Sequence, residues 1–120
     1  MNRTNSIFVL LLLLIQTGFS QDNSEQIAEI QVNILTAENG EKLVWMDSLA
    51  SLVENDANYR YDSLALSTVN YALELDSIHI AAENIGDLIY YYSTYLSDYN
   101  RCFELFETYK GTLQKCIQKM

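Results

Sequence analysis

The sequence predicts an all-α fold of antiparallel helical hairpins, about five to six helices long, and three observations lead there. Proline is absent and glycine occurs only four times in 120 residues, so the usual punctuation of β-rich or loop-rich chains is missing. Apolar residues recur every third or fourth position through most of the chain, the helical period. The polar breaks between these periodic segments are short, and short connections place successive helices side by side and antiparallel.

The first twenty residues stand apart from this pattern. Arg3 supplies a short basic start, "IFVLLLLLI" from Ile7 to Ile15 is unbroken and apolar, and "TGFSQ" follows with small residues at Gly18 and Ser20. That arrangement reads as a secretory signal peptide cleaved after Ser20, because a membrane span needs ~20 apolar residues. A retained anchor is the weaker reading. The expected mature chain is exported, periplasmic or extracellular, and is not inserted in a membrane.

An N-terminal helix is expected within 21–40. Asp22 and Glu25 form a capping-box-like pair with Ser24 competing, ahead of Ile27, Ile30, Ile34 and Leu35 at helical spacing, and Asn39-Gly40 reads as a left-handed stop. Helix pairs are expected over 41–111. In the first of these helices Leu43, Met46, Leu49, Leu52 and Val53 share a face flanked by Trp45 and Ala50. The polar cluster "ENDANYR" ends it, and Asp62 or Ser63 is the expected cap of the next helix, which carries Leu64, Ala65, Val69, Ala72, Leu73 and Leu75. Asp76-Ser77 compresses a stop and a new N-cap into two residues, so Ile80, Ala81, Ile85, Leu88, Ile89 and Tyr92 begin a helix that folds back on its predecessor. Ser97-Asp98 repeats that chemistry before a helix expected to turn Cys102, Phe103, Phe106 and Tyr109 inward and to end at Gly111. Leu113, Cys116, Ile117 and Met120 then read as the start of an unpaired further helix over 112–120.

Several helix positions repeat at a constant offset of 37: Ala65 and Cys102, Val69 and Phe106, Ala72 and Tyr109, Trp45 and Ala82, Leu49 and Gly86. A period in the thirties built of helix pairs marks a helical solenoid. On these residues the chain resembles a tetratricopeptide repeat protein. "DSLALSTVNYALELDS" looks like the second helix of such a repeat, with Ala65 and Ala72 at its small packing positions and Val69 at its large one. "NIG" and "SDYNRCFELF" look like the next repeat: Ile85-Gly86 in its first helix, Asp98-Tyr99 in its turn, Cys102 at its small and Phe106 at its aromatic position. Ser77 stands where that family has proline, and the eleven-residue spacing between Gly86 and Ser97 makes the fourth helix about a turn longer than the family's.

More narrowly, residues 42–92 are similar to the extracytoplasmic regions of repeat-containing sensor histidine kinases and related regulators of Bacteroidetes. The resemblance implies a right-handed, tetratricopeptide-like solenoid segment acting as a sensory or scaffold module in signal transduction. Such arrays need neighbours, so further repeats or self-association are expected.

Charge narrows the function classes. The sixteen acidic residues all follow the leader, where only six basic ones remain; the resulting negative field repels nucleic acid and anionic lipid. Reactive constellations are thin. His79 is the only histidine and sits in the first turn of a helix, and no Cys-x-x-Cys or His-x-x-x-His occurs. Cys102 and Cys116 would lie about 21 Å apart on one continuous helix, too far for a disulfide; only a turn at Gly111 brings them together, so free thiols are favoured. Glu54, Asp56, Asn58 and Asp62 give a faint calcium-loop pattern without its central glycine or closing glutamate. No metal, cofactor or catalytic residue is expected.

Five tyrosines, Tyr90, Tyr91, Tyr92, Tyr95 and Tyr99, crowd one helix and the turn after it. Tyr92, Tyr95 and Tyr99 share a stripe with Leu88 and read as packing; Tyr90, Tyr91 and Tyr95 are the candidate contacts for a protein or peptide partner, since tyrosine offers apolar area with a polar tip at little rotamer cost. A non-enzymatic interaction module is therefore the first reading. A small secreted enzyme or small-ligand carrier built around His79 and an inter-helix cavity is the second, and a cap that binds nothing is the third.

Overall fold

The computed structural model describes residues 23–118; the expected signal peptide and Asp22 lie outside the described residues. Among the described residues the chain forms five helices and no strand: α1 Ser24–Thr36, α2 Asn39–Leu52, α3 Tyr61–Glu74, α4 Ile78–Thr94 and α5 Tyr99–Gln118. Each helix packs against its neighbours in sequence. Polar side chains also bridge alternate helices: Asn84 Nδ2 on α4 donates to Asp47 Oδ1 on α2 at 2.8 Å, and the Tyr109 hydroxyl on α5 lies 3.3 Å from Asn70 Oδ1 on α3.

Three contiguous clusters fill the space between helices. Ile27 and Ile30 of α1 pack on Leu49 and Val53. Leu43 joins Val69, Ala72, Ala81 and Ile85, and Ala50 joins Tyr61, Ala65, Leu88, Tyr92 and Leu105. Ala65, Val69 and Ala72 are completely buried. Their short side chains let α2 and α4 approach α3 closely, and the larger Leu43, Ile85 and Leu88 interdigitate over them.

The hairpin between α3 and α4 turns where the spacing of apolar residues breaks, by a backbone device rather than a side-chain cap. Asp76 adopts φ 58°, its amide donates to the Leu73 carbonyl at 3.1 Å, and the Ser77 amide donates to the Ala72 carbonyl at 2.8 Å. These paired bonds are a Schellman ending, which satisfies the last free carbonyls of α3. Ser77 is the N-cap residue of α4 but its side chain makes no capping bond. At the start of α5 the expected chemistry is present: Ser97 takes φ 50°, and Asp98 Oδ1 accepts the Arg101 amide at 3.1 Å.

Four expectations are corrected. Asn39 does adopt a left-handed φ of 55°, but α1 has already ended at Thr36 and Asn39 opens α2, its amide donating to the Tyr71 hydroxyl at 3.0 Å. Arg60, not Asp62 or Ser63, occupies the N-cap position of α3. Gly111 does not end a helix: α5 runs through it to Gln118, so residues 112–118 continue α5, while Met120 lies outside the described residues. A single helical glycine costs about 1 kcal/mol, and Tyr109 and Leu113, packed against the core on either side of it, offset that. Both cysteines consequently lie on one helix and are free.

The fourth correction concerns the inward face of α5. Leu105, 2% exposed, is the buried residue there, with Cys102 and Tyr109 beside it, whereas Phe103 and Phe106 are 66% and 47% exposed. With Tyr99 and Ile117, also exposed, they form a stripe along the helix. The sequence offset of 37 sets Phe106 against Val69, but their burial differs, 47% against 0% exposed. Val69 is covered by helices on both sides, but no helix lies beyond α5 among the described residues.

Leu105→Ala is expected to destabilise the fold by about 2–4 kcal/mol, and Phe106→Ala by less than about 1 kcal/mol, in urea unfolding; the reverse order contradicts this register. Replacing Asp76 with Gly, which adopts the left-handed conformation without strain, is expected to raise stability by about 0.5–1 kcal/mol in the same measurement.

Candidate functional site

Where α3 begins and α4 ends, the α2–α3 loop leaves an open cleft of about 700 Å³. Local backbone chemistry shapes the loop. The Asp56 amide donates to the Val53 carbonyl, the Tyr59 amide to the Asp56 carbonyl, and Asp56 Oδ1 accepts the Asn58 amide at 2.9 Å. Two consecutive turns thereby carry the chain from α2 to α3 without a periodic element.

Aromatic rings make up much of the cleft. Tyr91 is the hub, its ring centroid 4.8 Å from Tyr61 and 5.7 Å from both Tyr92 and Tyr95, in tilted or edge-on contact. Tyr59, Tyr61, Tyr91 and Tyr95 line the space. Of the three candidate contact residues, the structure brings Tyr91 and Tyr95 together in the cleft. Tyr90 is exposed and outside the lining, meeting the edge of Tyr95 at 6.3 Å. Tyr91 is half-buried, whereas Tyr95 is 52% exposed. The expected stripe of Tyr92, Tyr95 and Tyr99 breaks because α4 ends at Thr94, and only Tyr92 joins the core.

Carboxylates share the lining. Glu54, Asp56 and Asp62 line the cleft, against the single cation Arg60. Asp62 is also structural: its Oδ2 accepts the Tyr92 hydroxyl at 3.0 Å, and its Oδ1 accepts the Ser63 amide at 2.9 Å and Arg60 Nε at 3.4 Å. Burial pushes its carboxyl upward, but the hydrogen bonds from Tyr92, Arg60 and Ser63 more than offset this and hold it below the usual carboxylate range. The guanidinium of Arg101 lies over the Tyr92 ring, 5.7 Å from its centre.

The field in this region is negative. Burial, reinforced by the charges of Glu54 and Asp87 and a hydrogen bond to Glu54, holds the Tyr61 hydroxyl protonated well above the ordinary phenol range. Asp87 on α4 is raised by burial and then by repulsion from Glu54, Glu83 and Asp47. The sequence marks the tyrosines by their density and Glu54, Asp56 and Asp62 only as a faint calcium pattern; that they line one cleft follows from the packing of α4 on α3.

The other chemical candidates lie elsewhere. His79 is exposed and pairs with Glu83 at 3.7 Å on the surface of α4. The oxygens of the faint calcium pattern serve the loop and the α3–α4 junction, and among the described residues no group of three or more His, Cys, Asp or Glu is placed to hold a metal ion. No helix of the described residues is long and apolar enough to cross a membrane. Comparison with family models, curated proteins and solved structures finds no match to this chain.

Because the Asp62 carboxyl is held low, its contribution to stability is full above about pH 4 and is lost as pH falls through its folded value. Tyr92→Phe removes one of the bonds responsible, so it is expected to lower stability by about 1 kcal/mol at neutral pH and to flatten the acid limb of a melting-temperature series. Asp87 has the opposite sign: its ionised form is disfavoured in the fold, so stability is lost as pH rises through the carboxylate range. Asp87→Asn is expected to raise the neutral-pH melting temperature slightly.

Proposed function

We propose that this chain is a non-enzymatic, exported interaction module that binds a protein or peptide partner through the tyrosine cleft. The observation that carries this reading is the exposed ring of Tyr95 beside the acidic loop, resting on the half-buried Tyr91, which is itself packed at a tilt against the fixed ring of Tyr61. Rigid aromatic area with polar tips, held by a scaffold, is the usual make-up of binding hot spots.

A tetratricopeptide-like right-handed solenoid is the arrangement we propose for the helices. The bond from Asn84 to Asp47 supports it, since these residues are separated by the same 37 positions as the repeat and stand on alternate helices. So does the uncovered stripe of Tyr99, Phe103, Phe106 and Ile117 on α5, which suits continuation by further repeats or by self-association. With the signal-peptide pattern and the resemblance of residues 42–92, this supports a sensory or scaffold role in a periplasmic or extracellular signalling assembly.

The proposal is tested by affinity capture from an envelope fraction on the immobilised chain, comparing wild type with the Tyr91→Ala/Tyr95→Ala double variant after matched helicity by circular dichroism. Proteins retained by wild type and lost, by about ten-fold or more, from the variant are expected, because two aromatic contacts in the cleft each contribute on the order of 1 kcal/mol. An unchanged set of retained proteins contradicts it. Tyr92→Ala, by contrast, is expected to act through the melting temperature.

A further inference from the structure

We propose that the tyrosine cleft seats the arginine side chain of a partner polypeptide, its aliphatic stem and guanidinium plane lying on Tyr91 and Tyr95 and its charge facing Glu54, Asp56 and Asp62. This rests on the binding role proposed above and narrows it to one partner chemistry.

Charge complementarity selects the occupant. Three carboxylates and four tyrosines line the cleft against one arginine, in a chain of net charge −9, so an anionic ligand is repelled and a neutral one gains nothing from the field. Tyrosine faces attract cations, and the guanidinium is the more weakly hydrated, planar one that stacks on rings. The molecule already seats a cation on a tyrosine ring in two places, the Arg101 guanidinium over Tyr92 at 5.7 Å and the Lys42 ammonium over Tyr71 at 5.5 Å.

Arg60 identifies the same preference from within the cleft. Its side chain is 79% exposed, yet its Nε lies 3.4 Å from Asp62 Oδ1, an internal guanidinium held loosely at the rim. It competes with an incoming arginine by charge. Removing it leaves Asp62 with the Tyr92 and Ser63 bonds but no cation, and deepens the negative field.

The test uses the full chain and two small probes, N-acetyl-arginine amide and its uncharged isostere N-acetyl-citrulline amide, titrated while amide signals are followed by NMR. Arginine is expected to shift the signals of residues 54–62 and 91–96 saturably, and citrulline to leave them unmoved. The arginine effect is expected to weaken about two- to five-fold in Tyr95→Ala and to weaken with added salt. It is expected to strengthen in Arg60→Ala. Asp56→Asn, which keeps the oxygen that accepts the Asn58 amide, is expected to weaken it without loss of the loop's signal dispersion. Equal shifts from both probes, no shift from arginine, or weaker binding by Arg60→Ala overturns the assignment.

A random peptide library displayed on phage and selected on the same chain separates this failure from failure of the binding role. Peptides that enrich through Tyr91 and Tyr95 but lack arginine overturn the arginine seat alone. No enrichment overturns both.

Discussion

The close approach of helices over Ala65 and Ala72 is the constraint on which the structure depends. Neither residue is exposed, and Val69 between them is equally buried. A larger side chain at either alanine would push α2 or α4 outward, and Leu43, Ile85 and Leu88 would lose the surface they interlock with. The alanines at 50 and 81 on the flanking helices act in the same way. Small residues at the crossings and branched or aromatic ones beside them let α3 be covered from two sides, so its ends are fixed in place.

The cleft follows from that fixation. Tyr61 opens α3 and Asp62 is its second residue, so both are held where the helix begins. The Tyr92 hydroxyl on Asp62 then locks the end of α4 to the start of α3. Tyr91, one residue before Tyr92, is thereby turned onto Tyr61 and toward the loop, and Tyr95 follows one helical turn later. The carboxylates that face these rings come from a loop folded by its own turns. Positive potential from Arg60 covers only part of the rim, leaving a concave surface that is aromatic and acidic at once.

Much of this was legible in the sequence. The helix-period stretches, the reversal at Asp76-Ser77 and the acidic cap at Asp98 all rest on local rules, and local rules act within a few residues. The misplaced features were those decided by neighbours. Gly111 carries a stop signal, yet side chains packed on both sides of it keep the helix intact. Phe106 is large and apolar but faces away, since the inner line of α5 passes through Cys102, Leu105 and Tyr109. Asp62 looks like a cap and instead serves as an acceptor for a hydroxyl thirty residues away. The pairing of tyrosines with Glu54 and Asp56 was invisible for the same reason: it exists only once α2 and α4 lie on either side of α3.

The uncovered flank of α5 and the doubly covered α3 imply a gradient of protection along the chain. Amides whose bonds open only when the whole stack comes apart exchange slowest, and those on a helix with one free side exchange sooner. Hydrogen exchange followed residue by residue measures this directly. The account predicts the slowest exchange at Val69, Ala72 and Ile85, with α5 beyond Gly111 opening earliest among the helices. Uniform protection from α1 to α5, or a maximum on α5, would contradict a stack centred on the small residues of α3.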